Sequence, residues 1–229
     1  SRDVLKEVLE KLDVSNENFP FMGVRETSIN GVPVRVFRIS FSGELAYEIN
    51  IPADYGHDIL ELIMRKGQFA NIVPYGTEAM AIMRIEKGHV AGAELDGRTT
   101  ADDLGLEKLI SSKKEFIGRR LLDREGFTDP GRPKLVGLIP VDKKSRVRSG
   151  SILVEDPNAS LPMPKLGHVS SSAYLSPTLQ YPIALGLVKG GLSRVGSTVW
   201  AMSPLHNEVN EVQIVNPVFY DKESERLHD

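Results

Sequence analysis

Apolar residues recur at helical spacing from the start of the chain: Val4, Leu5, Val8, Leu9 and Leu12, with Lys6, Glu7, Glu10 and Lys11 on the other face. This predicts an amphipathic helix. The period then falls to two. Residues 25–29 and 32–41 flank Asn30-Gly31, a dipeptide that supplies the positive φ of a type I′ turn, so they read as a β-hairpin. After Ser42-Gly43, Leu45, Tyr47, Ile49 and Ile51 alternate with Ala46, Glu48 and Asn50. One face of that strand is core, and the other carries a carboxylate between a small residue and an amide. Helical spacing returns over 55–66, with Asp54 as the expected cap and Tyr55, Ile59, Leu62 and Ile63 inward. A further helix over 77–87 is closed by Gly88, and Glu86 lies on its apolar stripe of Ala79, Ile82 and Met83. Helical segments are also expected over 104–109 and in the stretch up to Arg124.

Residues 126–133 (GFTDPGRP) are dense in turn formers and mark the expected domain boundary. Beyond them come short apolar runs at 135–139, 151–154, 167–171, 183–188, 198–201 and 211–215, punctuated by glycine and proline. Regular short strands of this kind predict a small antiparallel barrel or roll. The fold class is therefore α+β: an antiparallel sheet with helices over 1–126, a C-terminal β-barrel over 134–220, and a charged tail over 221–229 expected to fray.

Composition narrows the chemistry. The 229 residues contain 28 Lys plus Arg, 31 Asp plus Glu and no cysteine, for a net charge of −3. Without cysteine there is no disulfide framework, thiolate metal site, iron–sulfur cluster or cysteine nucleophile. No apolar run approaches the roughly 18 residues of a membrane span, and no signal-peptide pattern opens the chain. The expectation is a cytoplasmic protein without nucleic-acid or membrane partners.

Three stretches could carry chemistry. Over 38–48 (RISFSGELAYE), Glu48 is fixed on a strand with Phe41 and a Ser-Gly turn nearby. It reads either as a solvated strand face or as a carboxylate accepting two parallel N–H bonds from a flat heterocycle. Glu86, on an apolar stripe, requires a partner such as an arginine. The run from Glu94 to Asp103 is oxygen-rich but lacks the spacing of a calcium loop and reads as a capped turn. His89, His168 and His206 are scattered, so no metal site is expected. The basic run Lys143, Lys144, Arg146 and Arg148 reads as a solvated hairpin end.

The order of motifs is similar to that of the folate-binding aminomethyltransferase (glycine-cleavage T-protein) family. It runs from Phe19-Pro20-Phe21-Met22 through Phe41-Ser42-Gly43-Glu44-Leu45-Ala46-Tyr47-Glu48 and Arg84-Ile85-Glu86-Lys87-Gly88. Glu94-Leu95-Asp96-Gly97, Gly167-His168-Val169-Ser170-Ser171 and Ser176-Pro177-Thr178-Leu179 follow in turn. Within the family, Gly76-Thr77-Glu78-Ala79-Met80 most resembles the C-terminal region of the α subunits of heterotetrameric sarcosine oxidases. The T-protein has a folate-contacting arginine where this chain has Met80, and a glycine where it has Ala46.

The resemblance implies tetrahydrofolate as cofactor, Glu48 on the pterin edge and Phe41 beside the pterin. It implies partnership with the other subunits of a hetero-oligomeric oxidase, with FAD or FMN and NAD held elsewhere. The reaction would be oxidative demethylation of sarcosine with one-carbon transfer to tetrahydrofolate. The catalytic residue stays unknown, because the family's aspartate lies in an N-terminal part with no counterpart here. The chain is accordingly expected to be truncated at its N-terminus and inactive alone. The alternatives are the matching region of a glycine-cleavage aminomethyltransferase or dimethylglycine dehydrogenase, and a non-catalytic folate-binding or assembly module.

Overall fold

The structure, a computed structural model, describes residues 1–228. It divides into two compact units: residues 1–81 with the segment from Glu223 on, and residues 82–222.

In the first unit, β1 (Val24–Ile29), β2 (Val32–Phe37) and β3 (Glu48–Asn50) form an antiparallel sheet in that order. Asn30 and Gly31 have φ of 48° and 76°, as a type I′ turn requires. Helices α1 (Arg2–Val8) and α2 (Gly56–Lys66) belong to the same unit. Leu5, Val8, Phe19, Ile29, Val34, Val36, Ile59 and Leu62 form its core, with Tyr47, Ile49 and Ile51 packed against it.

The strands are shorter than the sequence pattern predicts, β2 ending at Phe37 and β3 spanning only Glu48–Asn50, and Tyr55, expected inward, is exposed. Three further details depart from the pattern. Helix α1 stops at Val8 because the next residues join the hairpin. The Glu10 amide donates to the Ser28 carbonyl at 3.1 Å, and the Glu10 carboxylate accepts from the Ser28 hydroxyl and the Gly31 amide. Asp54 does not cap α2. It lies in a 3-10 turn over Ala53–Tyr55 whose first amide bond runs back to Pro52, and Tyr55 is the N-cap without a side-chain bond. Within the described residues, up to His228, the tail expected to fray is held by hydrogen bonds. Arg226 Nε donates to both Glu44 oxygens at 2.8 and 2.7 Å, Arg38 Nη2 to the Leu227 carbonyl at 3.1 Å, and Asn16 Nδ2 to the His228 carbonyl at 2.9 Å.

In the second unit, six strands close into an antiparallel barrel. They are β4 (Pro133–Pro140), β5 (Ile152–Val154), β6 (Gly167–Ala173), β7 (Ile183–Lys189), β8 (Thr198–Ser203) and β9 (Glu208–Val215), in the order β4-β7-β6-β5-β8-β9. Val136, Leu138, Leu153, Val169, Val188, Val199 and Ile214 fill the interior. The outward residues Leu135, Ile183, Leu185 and Leu187 form a second core with Ile85 and Leu104. The fold is thus α+β with a closed C-terminal barrel. Among the described residues no helix is long and apolar enough to cross a membrane.

Helix α3 (Thr77–Glu86) ends as predicted: Gly88 has φ 69° and donates to Ile85, while His89 donates to Arg84. The later helical expectations shrink to 3-10 turns at Glu107–Leu109 and Arg119–Leu121 and the short α4 (Glu125–Thr128). Residues 82–126 group with the barrel rather than with the preceding sheet. Buried polar contacts explain this. Arg84 Nη1 lies 3.1 Å from Glu94 Oε2 and Nη2 donates to Ser171 Oγ at 2.7 Å. Ser171 Oγ in turn donates to Glu94 Oε1 at 2.6 Å, and the Ala91 amide to Glu94 Oε2 at 2.9 Å. A bulge in β6 makes this possible. Val169 faces Gly186 and Ser171 faces Leu185, so the extra residue Ser170 reverses the side-chain parity and turns Ser171 outward. Burial pushes the Glu94 carboxyl up, but the Ser170 and Ser171 hydroxyls, the Ala91 amide and Arg84 outweigh it and hold it below its ordinary value of 4.5.

At Gly167 an added Cβ would sit 1.9 Å from the Leu187 carbonyl oxygen, so Gly167→Ala must displace β7. Thermal denaturation of that variant should show a loss of at least about 1–3 kcal/mol. Glu94→Gln strands the Arg84 charge and should cost about 3–5 kcal/mol in urea titrations near neutral pH. Because the folded Glu94 value is depressed, its stabilisation is complete above the unfolded value and fades as pH falls through the folded one. Between pH 5 and about pH 3 the wild type should therefore lose more stability than Glu94→Gln, and parallel losses would refute the assignment.

Candidate functional site

Glu48 opens β3 and pairs with Phe37, which pairs in turn with Val24 of β1. With Val36 and Ile49 turned to the core, Val24, Glu26, Arg35, Phe37, Glu48 and Asn50 form the opposite face of the sheet. That face is open: Glu48, Asn50, Glu26 and Arg35 are exposed, and Val24 is 42% exposed. Arg35 Nη2 holds Glu26 at 2.9 Å, and a shallow concavity of about 380 Å³ is lined by residues including Glu26, Pro33, Arg35, Asn50 and Pro52. Glu48 lies outside its lining, two residues along β3 from Asn50. It is thus a carboxylate on a rigid strand, presented on an accessible surface, with none of the described cavities closing over it.

Phe41 lies in the irregular segment between β2 and β3 and is 40% exposed. That segment is anchored at several points. The Arg38 side chain is buried to 1% exposure and donates through Nη1 to the Phe19 carbonyl at 2.6 Å. Its backbone pairs with Met22 and Gly23, and Ser40 Oγ accepts from the Gly43 amide at 2.9 Å, Gly43 having φ 83°. Tyr47 packs on Phe19 with ring centroids 5.9 Å apart. Burial lowers the Arg38 pKa, yet a guanidinium starts so far above neutrality that it keeps its charge. Arg38 and Arg226 were not singled out in the sequence. Arg38 carries no signal beyond its strand position, and Arg226 sits in a charged tail that resembles a solvated end.

The other candidates are structural. Glu86 is satisfied not by an arginine but by the Ser176 hydroxyl and by the amide and hydroxyl of Thr178, at 3.3 and 2.9 Å. The Glu94–Asp103 run is a capped turn. The Arg98 amide donates to Asp96 at 3.0 Å, the Thr99 hydroxyl to the Glu94 carbonyl at 2.8 Å, and the Thr100 amide to Asp103 at 2.8 Å. Among the described residues no group of His, Asp or Glu could hold a metal ion. In the basic run, Asp142 accepts from the Ser145 hydroxyl and from the Ser145 and Lys144 amides, which bring its pKa down to about 2. Arg148 grips Glu208 at 2.7 and 2.8 Å, and Arg146 stacks over Tyr174.

Comparison with known proteins agrees with this architecture. Residues 1–114 match the family model described as the GCVT N-terminal domain, and residues 134–221 match the glycine cleavage T-protein C-terminal barrel domain. The whole chain is 44% identical to sarcosine oxidase subunit alpha of Rhizobium meliloti (strain 1021), of which it spans 23%. Over 99% of its length it is 39% identical to sarcosine oxidase subunit alpha of Corynebacterium sp. (strain U-96), spanning 24% of that protein. The chain thus represents about a quarter of the length of these relatives. Among solved structures, the glycine cleavage system aminomethyltransferase T from Bartonella henselae superposes with a TM-score of 0.74 at 21% identity, covering 96% of this chain and 57% of that one, which establishes likeness of fold. By sequence and by fold, the chain belongs to the glycine cleavage T-protein family.

Proposed function

We propose that this chain is the folate-binding part of a sarcosine-oxidase-like α subunit, acting in the cytoplasm with the other subunits of a hetero-oligomeric enzyme. The observation that carries the reading is the end-to-end likeness to two sarcosine oxidase α subunits, at 44% and 39% identity. Met80, in place of the T-protein's arginine, supports it over the aminomethyltransferase reading. We assign the folate region to 1–126 and the barrel to 134–220. The ends of the two family matches, at residues 114 and 134, support that division.

The donor set of the exposed sheet face fits a pterin. A carboxylate accepts in parallel from the amino and ring N–H groups of an amino-pyrimidinone, as it does from a guanidinium. Glu48 serves as that acceptor, fixed by the pairing of β3 with β2, and Phe41 offers an aromatic surface from the anchored loop. When bound, tetrahydrofolate supplies the nitrogens that accept the one-carbon unit, giving 5,10-methylenetetrahydrofolate. The residues of this chain orient the heterocycle. Proximity alone lowers a barrier by up to about 7–11 kcal/mol once two reactants are held in register. Flavin and NAD chemistry belongs to other regions or subunits.

Two outcomes test the proposal. In the complete α subunit, Glu48→Gln should weaken tetrahydrofolate binding about 10- to 100-fold in equilibrium titration, the value of one charge-assisted interaction. Unchanged affinity would remove Glu48 from the site. The isolated 229-residue chain should form no methylenetetrahydrofolate when supplied with sarcosine and tetrahydrofolate, and turnover by it alone would overturn the assignment as a part of a larger enzyme.

A further inference from the structure

In the second unit a cleft of about 360 Å³ opens on the outer face of the barrel. That volume falls toward the lower end of the range of small-molecule sites, about 300–1,000 Å³. Strand register sets its floor: Pro133 of β4 pairs with Lys189 of β7, and Leu187 of β7 pairs with His168 of β6. Leu166, Gly167 and the buried Leu187 make that floor apolar. Around it stand four fixed cations (Arg98, Arg132, Lys165 and Lys189) and two carboxylates (Asp96 and Asp103), an excess of 4 − 2 = +2 with histidine neutral.

The carboxylates are already engaged. Arg98 Nε donates to Asp96 at 2.7 Å, and Arg132 Nε donates to the buried Asp103 at 3.0 Å. Arg132 is further committed to the carbonyls of Arg98 and Gly126. Among the described residues the ammonium groups of Lys165 and Lys189 have no hydrogen-bond or ion-pair partner, although the Lys189 backbone amide donates to the Leu166 carbonyl at 3.0 Å. Burial, and then the charges of Lys165 and Arg98, push the His168 imidazole below its ordinary value. Two separate ammonium groups above an apolar floor suit two separate anionic ends joined by carbon. A phosphate is better matched by a free guanidinium fork or a nest of amides, and here both arginines are taken.

We propose that this cleft binds a small dicarboxylate, with its two carboxylates on Lys165 and Lys189 and its carbon chain over Leu166 and Leu187. The inference is independent of the folate reading. Glutarate is the probe, titrated into the intact 229-residue chain at fixed ionic strength by calorimetry, with the His168 ring resonances followed by NMR. Saturable one-to-one binding that moves those resonances is expected. The exposed double variant Lys165→Gln/Lys189→Gln should weaken it at least tenfold with an unchanged melting temperature. The control Lys113→Gln/Lys114→Gln should leave it intact. Butyrate and inorganic phosphate should each bind at least tenfold more weakly than glutarate. Any of four results would overturn the proposal: equal binding of butyrate, equal binding of phosphate, equal loss in the control pair, or glutarate that leaves His168 unmoved.

Discussion

A guanidinium and a carboxylate taken out of water together cost more than they return unless every remaining donor and acceptor is met. Arg84 and Glu94 satisfy that condition. The Glu94 oxygens accept from Arg84, Ser171 and the Ala91 amide, while Arg84 also donates to the His89 carbonyl at 3.2 Å. Ser171 reaches the pair only because the bulge at Ser170 reverses the parity of β6, which also turns Ala173 toward Ile183 and the outer core. Two residues after Arg84, Glu86 leaves α3 on a different side and is met by Ser176 and Thr178. The end of one helix is thereby fixed to two points on the barrel unit. An apolar replacement of equal volume could match the pair in stability, whereas the directional bonds add to the inward–outward alternation of apolar residues in selecting this register.

The contrast between local rules and distant partners also separates what was legible in the sequence from what was not. The hairpin at Asn30-Gly31, α2, the Gly88 ending of α3 and all six barrel strands follow from local rules of periodicity and turn chemistry. The observed strands fall within a few residues of the apolar runs that mark them. Features set by distant partners left no local trace. Leu9 and Leu12 keep helical spacing, yet α1 ends at Val8 because Glu10 bonds to a hairpin about 20 residues away. The tail reads as a solvated charge run until Glu44, 182 positions earlier, is seen to hold Arg226. The requirement that Glu86 have a partner was legible, because burial of a charge is a local inference. The identity of that partner was not, because hydroxyls 90 and 92 positions later meet it.

The open face of the first unit presents the sharpest physical question. Val24 and Phe37 place apolar and aromatic surface near an exposed acid, a combination that does not stabilise the unit by itself. A carboxylate in bulk water gains little from a heterocycle that water already solvates, because at high dielectric the attraction is about a twentieth of its low-dielectric limit. The orienting strength ascribed to Glu48 therefore depends on excluding water from the face when ligand is bound. Rigidity supplies part of the remainder, because β3 pairing and the Arg38 and Arg226 anchors fix the acid and its loop before binding and so lower the ordering cost that a mobile site would incur. In the role proposed for Glu48, an acid held in this way would discriminate through geometry first and acquire its energetic weight only as the surrounding surface is dried.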